Sequence, residues 1–115
     1  MNPCSRIQIN KFERLLKIDL CEEFNEIEAE FLICDLKKLA LHYQINVCVF
    51  IIPKKWKATQ PARRIIRNFM KQIKNFKVSS SPIQRAILKT EAIYDDEDVN
   101  CICKNYKEAL TKIYG

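Results

Sequence analysis

A chain of 115 residues with 48% hydrophobic and 30% charged side chains is long enough to bury a core and too apolar to remain disordered. Its formal net charge of +6 points to an anionic partner. Its single Gly disfavours phosphate-cradling loops and tight hairpins, both of which draw on residues at positive φ or close backbone approach.

Residues 1–9 read as a short N-terminal arm, with Ile7 and Ile9 alternating against Arg6 and Gln8. No basic region followed by an apolar run opens the chain, so an intracellular protein, cytoplasmic or nuclear, is expected. The thiols of Cys4, Cys21, Cys34, Cys48, Cys101 and Cys103 are then expected to be reduced. Asn10 suits the cap of a short helix that uses Phe12, Leu15, Leu16 and Leu20. A longer helix follows over residues 22–43. It places Phe24, Ile27, Phe31 and Cys34 on one side, with Leu32, Leu36, Leu39 and Tyr43 in an adjoining stripe. An apolar arc that wide predicts a central helix packed on more than one neighbour.

Residues 45–53, INVCVFIIP, are the one good strand candidate: β-favouring, short, and ended by Pro53. The run is far too short to span a bilayer. Charge then becomes segregated. Residues 1–53 carry a net −2 and residues 78–115 a net −1, whereas residues 54–77 carry nine Lys or Arg and no acid. Residues 54–60 read as a loop, and Pro61 suits the first turn of a helix over 62–76. On that helix Ala62, Ile65, Ile66, Phe69, Met70, Ile73 and Phe76 fall within about 140°. Arg63, Arg64, Arg67, Lys71 and Lys74 form the adjoining stripe.

Ser79 to Ser81 break this helix. Ser81-Pro82-Ile83-Gln84 reads as a capping box with Pro at the first helical position. The helix it opens, to about Ile93, is expected to bury Ile83, Ala86, Ile87 and Tyr94. The acidic run Asp95 to Asp98 suits the N-terminus of a last helix. That helix places Val99, Ile102, Cys103, Tyr106, Ala109, Leu110 and Ile113 on one face. The pattern as a whole predicts a single domain over 1–115, mainly α, a compact bundle of about five helices. At most a small β element stands near 45–52, and an α+β fold is the alternative. Helices 22–43, 62–76 and 98–114 are expected to form the core.

Catalytic chemistry has little to stand on. Cys101 and Cys103 are one residue apart and the other cysteines are isolated, which does not match paired zinc ligands. His42 is the lone imidazole and sits near a helix end. The run Asp95–Asp98 lacks the alternating oxygen ligands and the Gly of a calcium loop. No metal, no cofactor and no enzymatic activity are expected. The basic segment remains. The leading expectation is a non-enzymatic nucleic-acid-binding or nucleoprotein-assembly protein, for RNA or DNA, in which Lys54, Lys55, Lys57, Arg63, Arg64, Arg67, Lys71 and Lys74 neutralise phosphates. Trp56 then stacks on a base or anchors the loop. The alternative is a protein–protein interaction module docking an acidic surface through the same residues. Insertion of the helix into a membrane surface ranks lower, because it would take the apolar arc out of the core.

Overall fold

The computed structural model describes residues 5–115; Cys4 and the start of the expected arm lie outside them. The chain runs β1 (Arg6–Asn10), β2 (Leu15–Asp19), β3 (Glu23–Phe24), α1 (Glu26–His42), β4 (Val47–Ile51), β5 (Lys57–Ala58) and α2 (Gln60–Met70). It continues through β6 (Lys74–Val78), α3 (Pro82–Tyr94), a 3₁₀ turn at Val99–Cys101, β7 (Ile102–Cys103) and α4 (Tyr106–Tyr114). Five strands form one mixed sheet in the order β1-β2-β4-β6-β7, with β1 antiparallel to β2 and the others parallel. A second small sheet pairs β3 with β5 in parallel.

The expected mainly α bundle of five helices is therefore corrected to an α/β fold with a five-stranded mixed sheet and four α-helices. The cause is clearest in β2. Leu15, Leu16, Ile18 and Leu20 are all buried because β2 is an interior strand covered on both faces. From Leu16 to Leu20 the apolar residues do alternate with half-buried Lys17 and Asp19, but the run is short and Phe12, Leu16 and Leu20 also stand at helical spacing. Phe12, assigned to the same helix face, is instead 99% exposed at the tip of the β1–β2 hairpin. Asn10 does act as a cap, but of a turn: its Oδ1 accepts from the Glu13 N–H at 3.0 Å, and its Nδ2 donates to Glu13 at 3.1 Å. The chain then reverses through Arg14 at φ 55°, so a non-Gly residue fills the left-handed position that the hairpin needs.

The expected helix 62–76 is also shorter, because Ile73 and Phe76 fit the helical arc while Asn75 to Val78 alternate as a strand. It ends at Met70, and Lys74–Val78 is an interior strand between β4 and β7. Asn75 secures the exchange: its Nδ2 donates to the carbonyls of Met70 at 2.7 Å and Ile73 at 3.1 Å, which holds the chain as it leaves the helix. Residues 98–114 likewise divide into a 3₁₀ turn, β7 and α4. The expected strand over 45–53 is present as β4. The long helix is present as α1, opened by Asn25, whose side chain accepts from the Glu28 N–H at 2.9 Å.

Strand alternation separates two cores. Leu16, Ile18, Cys48 and Phe50 face α1, α2 and α3 in the larger one. Leu15, Val47, Val49, Phe76 and Val78 face α4 in the smaller one, where Ala109 is fully buried. Of the two stripes expected on α1, the one with Leu32 and Leu36 is buried. Ile27 and Phe31 are more than half exposed. Among the described residues no helix is long and apolar enough to cross a membrane.

Candidate functional site

The basic segment leaves the C-terminal end of β4 at Pro53. Its middle is pinned by backbone: the Lys57 N–H donates to Glu22 O at 2.6 Å and the Thr59 N–H to Phe24 O at 3.1 Å, which makes β5. Thr59 then caps α2, its Oγ1 accepting from the Ala62 N–H at 3.3 Å, with Pro61 in the first turn as expected. Between these fixed points Lys54 and Lys55 form a turn that leaves both exposed, and Lys57 is exposed as well.

Trp56 faces inward. Its ring lies 5.8 Å from that of Phe24, and the Arg63 guanidinium sits 5.1 Å from its centroid. The indole N–H is buried and, among the described residues, meets no acceptor. The ring is partly buried and packs against the larger core.

Along α2, Ala62, Ile66, Phe69 and Met70 are buried, so the apolar arc belongs to the core. The cations do not form one stripe. Arg63 pairs with Glu91 at 3.2 Å, and Arg67 with Asp95, its Nε at 3.0 Å from Oδ2. Lys77, on β6, pairs with Glu97 at 3.2 Å and is nearly buried. Hydrogen bonding from Arg67 holds the Asp95 carboxyl below its ordinary range, and the same bond raises the guanidinium. Lys74 is not on the helix at all; it opens β6 and is exposed. Arg64 and Lys71 are exposed, and no carboxylate of the described residues lies within ion-pair distance of them.

The acids Asp95, Glu97 and Asp98, expected at the start of a last helix, serve otherwise. Asp95 ends α3 and Asp98 caps the 3₁₀ turn, while Asp95 and Glu97 neutralise α2 and β6. These counterions stand 20 or 28 residues from their partners, beyond any local charge pattern. Burial pushes the Cys48 thiol up to about 12 and raises those of Cys101 and Cys103, which disfavours the thiolate at these three positions.

The capping box at α3 forms on one side only. Ser81 Oγ accepts from the Gln84 N–H at 3.2 Å, but Gln84 does not reach back. Its Nε2 donates to Pro53 O at 3.0 Å and its Oε1 accepts from Ser79, tying the start of α3 to the end of β4. This leaves a groove of about 310 Å³ lined by Lys54, Trp56, Arg63, Ser81, Ile83, Gln84, Ile87 and Leu88. The burial expected for Ile83, Ala86, Ile87 and Tyr94 is reversed. All four are exposed, and Leu88 and Ala92 face the core instead. The helix carries apolar residues on both sides, and the competing arc of Leu88 and Ala92 is the signal in the sequence for the face that is buried.

The fold places the chain among α/β proteins built on a five-stranded mixed sheet with three helices on one face and one on the other. A solved structure of that kind is the Bacillus cell fate determinant SpoIIAA in the phosphorylated form. It superposes with a TM-score of 0.68 over 96% of this chain and 99% of that chain, at 8% sequence identity. At that identity the likeness shows the fold. No family model and no curated protein sequence matches the chain. The expectation of a nucleic-acid-binding or nucleoprotein-assembly protein is corrected: the solved structure that shares the fold is described as a cell fate determinant, and the ion pairs break up the cationic stripe on which that expectation stood. A helix whose central arginines are already committed to Glu91 and Asp95 does not present the continuous run of free cations that the phosphate-neutralising reading needed.

Proposed function

We propose that this chain is a non-enzymatic protein-interaction module that docks an acidic surface of a partner protein through the cationic segment at the start of α2. The observation that carries this is the exposed group Lys54, Lys55, Lys57 and Arg64, none of which has a carboxylate of the described residues within ion-pair distance. Arg63 and Arg67, by contrast, are held by the protein's own acids and serve to position α3. The likeness to a protein described as a cell fate determinant supports a partner-binding role. Rim cations of this kind act mainly by steering association and by selecting the sign of the partner's charge. Their interaction weakens with salt, because the screening length is about 8 Å at physiological ionic strength.

Affinity co-purification from the native cells tests this, with the intact chain and a Lys54→Glu/Lys55→Glu/Lys57→Glu/Arg64→Glu variant compared at low and high salt. An acidic protein retained at low salt, released at high salt and absent from the variant is expected. Partners retained equally by both forms would show that this surface is not the docking site.

A further inference from the structure

We propose that the outward face of α3 seats an acidic amphipathic helix of the partner protein, laid along Ile83, Ile87 and Tyr94 with its carboxylates against Lys54 and Lys89. The inference rests on the acidic-partner reading above and adds where, and in what form, the partner binds.

A helix on the outside of a domain ordinarily turns polar residues outward. On α3 the arrangement is inverted. At 100° per residue, Ile93, Ala86, Thr90, Ile83, Tyr94 and Ile87 occupy an unbroken arc of about 120° opposite the buried Leu88 and Ala92. All six are exposed, Ile83 to 76% and Tyr94 to 86%. The arc holds no charge. Its polar groups are two hydroxyls, the exposed phenol of Tyr94 and that of Thr90, which donates to Ala86 O at 3.0 Å and so is satisfied within the helix. Positions 83, 87, 90 and 94 form a ridge along the whole length of α3, the spacing against which a second helix packs.

Charge decides the occupant. On one side of the arc, Ile83 and Ile87 line the groove that also holds Lys54 and Arg63. On the other side stands exposed Lys89, with Arg85 beyond it, half-buried and donating to Ser79 O at 2.8 Å. Glu91, which flanks the arc beside Ile87, is taken up by Arg63, so near the N-terminal end of the ridge the apolar floor is bordered by Lys54 on one side and Lys89 on the other. The complement is a helix whose apolar stripe is flanked by Asp and Glu. The exposed Lys55 and Lys57 extend the same positive rim toward α2. Because Gln84 and Trp56 fix the loop against α3 and the core, the two borders are held in place before anything binds.

Fluorescence anisotropy on the full chain tests this with two synthetic helical peptides. They share one Leu face, flanked by Glu in the first and by Lys in the second. The Glu peptide is expected to bind and the Lys peptide not to. Ile83→Ser/Ile87→Ser and Lys54→Glu/Lys89→Glu should each weaken the Glu peptide by roughly tenfold or more, while Ile83→Leu/Ile87→Leu should retain it. These positions are exposed, and unchanged circular-dichroism melts confirm that each variant is folded. Loss of binding in Lys54→Glu/Lys55→Glu/Lys57→Glu, with none in Ile83→Ser/Ile87→Ser, would overturn the α3 seat and leave the acidic-partner reading standing. Binding of neither peptide also overturns the seat, and the salt-dependent co-purification then decides the broader reading by itself. A dimer seen by sedimentation and dissociated by Ile83→Ser/Ile87→Ser would overturn the proposal by giving the face to a second copy of the chain.

Discussion

Helices α2 and α3 begin alike and sit opposite ways round. Each is opened by a hydroxyl cap, Thr59 or Ser81, with a proline in the first turn. Each has a continuous apolar arc. In α2 that arc is the core, and the cations face out. In α3 the apolar arc faces out, and only Leu88 and Ala92 are buried. The sheet explains the difference. Helix α2 connects β4 to β6, two neighbouring interior strands, and has a wide apolar floor beneath it. Helix α3 connects β6 to β7, an edge strand of two residues, and has little floor to cover. A periodic apolar face therefore reports that something will cover it, without saying that the protein's own core does so.

The comparison can be broken most directly in the two helices' apolar residues. Phe69→Ala in α2 is expected to cost about 3–5 kcal/mol of unfolding free energy, by loss of burial and creation of a cavity against Phe50. Ile83→Ala in α3 should change stability by about 0.5 kcal/mol or less, since the side chain is already in water. Urea unfolding of both variants checks this. A large loss from Ile83→Ala would mean that the outward face is packed after all.

A smaller effect is expected where the two helices are joined. Asp95→Asn removes the charge that Arg67 holds, and since the Arg67 side chain is 38% exposed the loss should not exceed about 1 kcal/mol near neutral pH. The sign follows from the depressed carboxyl of Asp95. Its contribution is fully present above the unfolded value of about 3.9 and is lost as pH falls through the folded value. The gap between wild type and Asp95→Asn should therefore close on acidification below about pH 4. Thermal melts across a pH series measure it, and a gap unchanged by acid would show that the pair adds nothing to the join.

The smallest lever is the turn that ends α3. Asp96 sits at φ 58°, and Asp96→Gly relieves the left-handed strain while making the unfolded chain more flexible. A net gain of a few tenths of a kcal/mol, and no more than about 1 kcal/mol, is expected in the same melts. A loss would indicate that Asp96 contributes through its side chain.

Much of the chain's punctuation was legible beforehand. Pro53 ended the strand β4, Pro61 sat in the first turn of α2, and Ser81 capped α3 from the residues alone. The cationic stretch 54–77 was equally plain. The strands β2 and β6 were not, because their alternations are short and the same apolar residues also fall at helical spacing; Leu15–Leu16 and Phe76 were absorbed into neighbouring helical patterns. β7 has only two residues, too few for any period. For the candidate surface, Lys54, Lys55, Lys57 and Arg64 could be found by composition. The removal of Arg63 and Arg67 from it could not.

What the sequence by itself determined is local: where helices are capped, where prolines stop or start the chain, and which side of each helix is apolar. Propensity, capping and 3.6-residue periodicity act over a few residues, so they can be read in a window. The tertiary structure alone decided which apolar arcs meet the sheet, which acids answer which arginines, and which cations stay free. Those outcomes depend on strand order and on groups 20 or 28 residues apart, and no local pattern encodes the order in which strands pair. The face of α3 is the clearest case: its residues are as apolar as a core's, and only the narrow edge of the sheet left them outside.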